Sequence, residues 1–192
     1  MRFKILSAEV VAQVWSRVYR VVVRQTRADG RQEDLVREVV DHGGAAAVLP
    51  LDPQRGTCLL VRQMRAGAFF AGHHAPLLEV CAGLLDHDDP ETCARREALE
   101  ELGCRVHDLT FVMKAFATPG AHTEFLHFFI ATYGPEDRIA AGGGVEHEGE
   151  DIEVVEMALA DAHALIATGG IVDAKTIIML QHAWAAHSAD NG

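Results

Sequence analysis

The strongest constraint on this chain lies between Asp88 and Cys104, where start and stop signals bracket a single helix. A carboxylate of Asp88 or Asp89 caps it, and Pro90 suits the first turn, where a missing N–H loses no bond. Gly103 takes the left-handed conformation that closes a helix, so the signals predict about fourteen helical residues. Ala94, Ala98 and Leu102 recur every fourth residue and form its apolar stripe. Glu97, Glu100 and Glu101 fall at i, i+3 and i+4, which sets three carboxylates on one side of the cylinder.

Like charges at that spacing cost an isolated helix roughly 0.2–0.5 kcal/mol per pair, so something must offset them. A solvated acidic face with Arg95 and Arg96 as surface partners is one answer. A hard divalent cation is the other, since Mg²⁺ takes oxygen ligands, keeps several waters and combines a few carboxylates with substrate phosphates.

Gly83, an acid, and then Arg96-Glu97-Ala98-Leu99-Glu100-Glu101-Leu102-Gly103-Cys104 together resemble the Nudix box, G-x5-E-x7-R-E-U-x-E-E-x-G-U, with U a bulky apolar residue. The family hydrolyses nucleoside diphosphates linked to another moiety. The second half of the box is complete. In the first half the acid is Asp, not Glu: Asp88 has the right distance to Arg96, whereas counting from Gly83 selects Asp89.

Further matches cover most of the chain: Arg37-Glu38-Val39, Val61-Arg62-Gln63-Met64-Arg65, Glu79 to Asp86, His127-Phe128-Phe129-Ile130-Ala131, Gly142-Gly143-Gly144-Val145-Glu146 and Asp173-Ala174-Lys175-Thr176. They are similar to the Nudix branch that splits GDP-mannose, which lies close to the ADP-ribose pyrophosphatases. The resemblance implies an α/β fold, a Nudix α/β/α sandwich with a mixed sheet, preceded by a β-rich N-terminal region exchanged across a homodimer. It implies Mg²⁺, with Mn²⁺ as a substitute, held by the Ala82 carbonyl with Glu97, Glu101 and a loop acid, Glu100 being a further ligand or an acid that supports them from behind. Glu148 is the choice for that acid and the general base, with Glu146 and Glu150 as competitors. Arg96 orients the glutamates. Trp15, Arg37, Glu38, Arg65, Ala82, Gly83, Glu124 and Lys175 are the implied substrate contacts, Trp15 and Arg37 from the partner subunit. Trp15 as a dimer anchor and Arg65 as a structural ion pair are the plainer readings. The implied reaction gives GMP and mannose 1-phosphate, against the alternatives of ADP-ribose as substrate or a silent nucleotide-sugar-binding domain.

Composition bears on partners. A formal net charge of −11 argues against nucleic acid or an anionic membrane, and favours a diphosphate substrate only if bound cations invert the local field. Cys58, Cys81, Cys93 and Cys104 show no CxxC spacing, and neither a zinc motif, a secretory signal nor a run of roughly 20 apolar residues is present. The expectation is a cytoplasmic protein with four reduced, mostly buried thiols.

The remaining pattern predicts a small β-rich unit over residues 1–42, in which residues 8–14 form a strand or a short helix, the strand slightly favoured, and residues 18–25 and 35–40 a hairpin around Asp29-Gly30. After the Gly43-Gly44 boundary the main domain, residues 43–192, opens with strands 45–51 and 57–65, dense enough in apolar residues for a sheet covered on both faces. Residues 66–76 read as loop, with His73 and His74 solvated. Strands 106–116 and 125–133 pair across a Pro119-Gly120 type II turn. A glycine-rich acidic loop, a strand 152–157 and helices 159–168 and 174–187 follow, the last capped by Asp173 and apolar along Ile177, Ile178, Leu180, Gln181 and Trp184.

Overall fold

The structure is a computed structural model that describes residues 1–145, 149 and 151–190. Its backbone divides into two compact units, Met1–Gly44 with Ala115–Phe125, and Ala45–Lys114 with Leu126–Gly192.

In the first unit, β1 (Arg2–Gln13), β2 (Arg17–Thr26) and β3 (Gln32–Asp41) form an antiparallel sheet in that order. β1 starts well before residue 8, because Arg2-Phe3-Lys4-Ile5 already alternates polar and apolar and pairs with Thr26 to Val23. Arg24 faces Asp34 in register and binds it through two bonds of 2.7 and 2.8 Å. Residues 115–125 join this unit through Val40, whose N–H donates to Ala121 O at 2.8 Å and whose carbonyl accepts from Thr123 N at 3.0 Å. The turn at Pro119-Gly120 is not type II: Gly120 keeps a negative φ, and Thr118 O accepts from both Ala121 N and His122 N. A second donor tightens the turn toward helical geometry, which leaves no left-handed position for glycine to fill.

The second unit holds β4 (Ala45–Asp52), β5 (Thr57–Gln63), β6 (Leu77–Glu79), β7 (Cys81–Leu84), β10 (Glu153–Ala158) and all but the adjoining ends of β8 (His107–Phe116) and β9 (Phe125–Thr132). The sheet order is β10-β5-β4-β9-β8, with β6 beside β5 and β7 beside β4. It is mixed, since β9 runs parallel to β4 while β5 and β7 run antiparallel to it. Three longer helices complete the unit: α2 (Pro90–Leu102), α3 (Leu159–Thr168) and α4 (Ala174–Asp190). A one-turn helix, α1 (Ala66–Phe70), stands where a loop was expected; Phe69 N donates to Arg65 O, and Phe69 then meets the His74 ring edge-on.

α2 covers one sheet face, where Ala94, Ala98 and Leu102 meet Ala46, Val48, Leu59, Val61, Phe129 and Ala131. The alternate residues Ala47, Leu49, Leu60 and Phe128 are buried too, and α3 and α4 lie along β5, β10 and β6. This is an α/β/α sandwich. α4 buries Thr176, Met179, Leu180 and Ala183, so its inner stripe is rotated from the one expected: Gln181 is exposed, and Trp184 lies half-buried on the His163 ring. All four cysteines are free and buried. No helix among the described residues is long and apolar enough to cross a membrane.

The helix signals are realised residue for residue. Asp89 is the cap, accepting from Glu91 N and Thr92 N, and Gly103 closes the helix at φ 61°. Replacing Asp89 by Ala is expected to lower stability by about 1 kcal/mol in a denaturant titration.

Candidate functional site

β7 passes beneath α2, and the two elements bring their chemistry together over a short span. Glu101 is 2% exposed and Glu97 8%. Ala82 donates its N–H to Glu101 Oε2 at 3.2 Å. Gly83 is where Glu97 sits: a Cβ built there would fall 1.9 Å from Glu97 Oε1, so the absent side chain is the space the carboxylate occupies. Burial, with the Glu97 charge beside it, pushes the Glu101 carboxyl up to about 7, against the pull of the Ala82 N–H and Cys81.

Arg96 gathers the remaining acids. Its Nη1 lies 2.7 Å from Glu97 Oε1 and 2.9 Å from Glu100 Oε2, its Nε 3.1 Å from Asp88 Oδ2, and its Nη2 donates to Leu84 O at 3.2 Å. The two candidates for the first acid of the box therefore separate by function. Asp88 turns to Arg96, and Asp89 caps α2. With Glu97 and Glu100 drawn to Arg96, no three His, Cys, Asp or Glu side chains converge as a cation site among the described residues. Glu146, Glu148 and Glu150 lie outside those residues.

One acid went unnoticed in the sequence. Glu79, 1% exposed, receives Arg65 through Nε at 3.0 Å and Nη2 at 2.9 Å, and Lys175 Nζ binds the same Oε2 that Nη2 does. Lys175 also meets Asp173 at 3.1 Å; Asp173 accepts from the Thr176 hydroxyl, which in turn accepts from Val80 N. Burial works to raise the Glu79 carboxyl, and the Arg65 and Lys175 cations outweigh it and hold the group below the usual carboxylate range. The signal was present as an acid between Leu78 and Val80 in an otherwise apolar run.

Of the expected site residues, Ala82, Gly83, Arg96, Glu97, Glu100 and Glu101 are brought together, and Arg65 and Lys175 share Glu79. Trp15, Arg37, Glu38 and Glu124 belong to the first unit. Trp15 is 86% exposed, Arg37 donates to Val36 O, and Glu124 lies 3.4 Å from His42 Nε2. His73 and His74 are exposed.

The NUDIX domain model matches residues 41–178. The chain belongs to the Nudix family. It is 37% identical over 187 residues to the GDP-mannose pyrophosphatase of Escherichia coli O139:H28, covering 97% of each chain. It is 39% identical over 183 residues to that of Klebsiella pneumoniae subsp. pneumoniae, covering 95% of this chain and 91% of the other. A crystal structure described as an ADP compounds hydrolase shares the fold, with a TM-score of 0.72, 21% identity, and coverage of 98% of this chain and 96% of the other.

The Nudix box thus occupies β7, α2 and the turn between them. Its donors are buried oxygen atoms of like charge, one carboxyl raised by burial and then by the charge of its neighbour, and that set fits a hard divalent cation. Two outcomes follow from the geometry. Gly83→Ala drives the Glu97 carboxylate from its place, and is expected to lower kcat on the order of 100-fold in a steady-state assay with little change in melting temperature. Glu101 holds its proton more tightly folded than unfolded, so its contribution is fully present below about pH 4.5 and is lost as pH rises through about 7. In chelator, the melting curves of the metal-free protein are expected to show roughly 3 kcal/mol of this loss between those pH values, and Glu101→Gln to flatten it.

Proposed function

We propose that the protein hydrolyses the diphosphate bond of a nucleotide sugar, with GDP-mannose as substrate and GMP and mannose 1-phosphate as products. One observation carries the reading: Glu97 and Glu101 are buried side by side in the complete second half of a Nudix box, in a chain 37–39% identical to GDP-mannose pyrophosphatases over nearly its whole length. Water adds across the P–O–P linkage, one phosphorus gaining the hydroxyl oxygen and the other phosphate leaving.

Glu97, Glu101, Glu100 and the Ala82 carbonyl are the residues that would hold Mg²⁺, or Mn²⁺, joined by Glu148 from the loop. A bound cation supplies neutralisation of the diphosphate charge and a lowered pKa for water. Arg96 holds Glu97 and Glu100 in fixed rotamers by charge-assisted bonds. Glu148 accepts the proton of the attacking water. Arg65, fixed on the buried Glu79 together with Lys175, keeps positive charge near Glu101, and the two cations help to stabilise the negative charge that accumulates on an oxygen of the diphosphate. Trp15, Arg37, Glu38 and Glu124 contact the nucleotide and sugar.

The N-terminal region, residues 1–42, serves as the dimerisation element of a homodimer and lends Trp15 and Arg37 to the partner's site. The supporting observation is the apolar surface of β1 and the following turn: Phe3, Ile5, Val11, Val14 and Trp15 are each more than half exposed in the single chain. Free buried thiols support a reducing, cytoplasmic location.

Product chromatography tests the reading, with Mg²⁺ and GDP-mannose, ADP-ribose or a nucleoside triphosphate in parallel. GMP and mannose 1-phosphate, formed fastest and abolished by chelator, are the expected result, with Glu101→Gln slower by at least roughly 100-fold. Preference for ADP-ribose would reassign the substrate, and turnover of none would leave a silent binding domain.

A further inference from the structure

The last carbonyls of a helix have no partner within it, and α2 ends on the residues whose side chains carry the proposed cation site. Two of these carbonyls are taken from elsewhere in the chain. Gly143 N donates to Glu101 O at 2.9 Å and Gly144 N to Glu100 O at 3.1 Å. Just before them, Ile139 N and Ala140 N both donate to Gly103 O, at 2.9 and 3.1 Å. Just after, Ile152 N returns to Gly143 O at 3.3 Å.

Only glycine fits this route. Gly142, Gly143 and Gly144 have φ of 71°, 109° and 81°. A Cβ at Gly142 would fall 2.4 Å from Glu101 O, and one at Gly103 2.2 Å from Ala140 O, so both backbones are in contact from either side. These obstacles are main-chain atoms, which have no rotamer through which to give way.

We propose that residues 142–144 are positioning residues: a glycine strap that fixes the backbone of Glu100 and Glu101, and with it the carboxylates of the cation site. The proposal rests on the hydrolase reading above and adds what sets the register of that site. The bond from Ile152 to Gly143 closes the base of the segment that carries Glu146, Glu148 and Glu150 in sequence.

Gly169 provides the matched control. Its φ is 74°, close to that of Gly142, yet a Cβ there meets nothing within 4 Å, so alanine brings the same backbone strain without displacing a strap. Mn²⁺ is titrated into whole protein carrying Gly142→Ala or Gly169→Ala and followed by electron paramagnetic resonance, with GDP-mannose turnover measured beside it. Gly169→Ala is expected to bind Mn²⁺ as wild type does. Gly142→Ala, folded by circular dichroism, is expected to bind about tenfold or more weakly and to lose kcat with little change in KM. Should Gly142→Ala fail to fold, Gly143→Ala takes its place: its Cβ finds ordinary contact 3.6 Å from Ile152 O, but its φ of 109° is one that alanine rarely adopts. A folded strap variant that matches Gly169→Ala in Mn²⁺ affinity and kcat overturns the proposal, and so does a wild-type protein that binds no Mn²⁺. A wild-type protein that binds Mn²⁺ but splits no nucleotide sugar fails the hydrolase reading alone, and the metal titration then decides the strap.

Discussion

Two carboxylates of like sign, buried within one turn of each other, are the constraint around which the catalytic half of this protein is built. Glu97 and Glu101 face β7 almost without solvent. Left alone, such a pair would take up a proton, and Glu101 is already raised toward neutrality. Each neighbour that tolerates the pair has a defined part. Arg96 supplies positive charge to Glu97 and Glu100, the Ala82 N–H binds Glu101, and Gly83 leaves room where any side chain would collide. The energy stored in this arrangement is what a divalent cation would release on binding, which couples cation affinity to the fold.

The rest of the second unit serves to hold that geometry. β7 is fixed by its ladder to β4, where Ala46 pairs with Gly83 and Ala47 with Ala82. α2 is fixed by the burial of Ala94, Ala98 and Leu102 on the same sheet. Its two ends are closed by Asp89 and by Gly103 with the glycine strap. A second charge cluster solves the inverse problem, with Arg65 and Lys175 fixed on the shielded Glu79 and Lys175 also held by Asp173. Removing Glu79 would leave Arg65 without its carboxylate partner and Lys175 with Asp173 alone, so its cost lies in one-sided disruption more than in the pair itself.

Much of this was legible in the sequence because the signals are local. Asp89, Pro90 and Gly103 mark α2 through backbone chemistry that needs no tertiary partner, and the same holds for Gly169 at the end of α3 and Asp173 before α4. The carboxylate spacing is equally local. What escaped reading depends on distant contacts. Asp88 and Asp89 are equivalent in pattern, and only the reach of Arg96 back across the turn separates them. Glu79 is indistinguishable from a strand residue at a sheet edge until Arg65 and Lys175 converge on its carboxylate. The inner face of α4 was misread because Thr176, polar in isolation, is buried once its hydroxyl joins Val80 and Asp173. The Gly120 turn adopted a negative φ because Thr118 O takes a second donor, His122 N, which proline–glycine statistics do not contain.

The central claim is that the Glu97 and Glu101 carboxylates are the seat of a divalent cation. Anomalous diffraction from crystals soaked in Mn²⁺ tests it most directly. The account predicts a peak at roughly 2.0–2.3 Å from oxygens of both glutamates, beside the Ala82 carbonyl, with Glu97 drawn away from Arg96. Anomalous peaks confined to other parts of the molecule, with Glu97 still bound to Arg96 and Glu101 still on the Ala82 N–H, would contradict it.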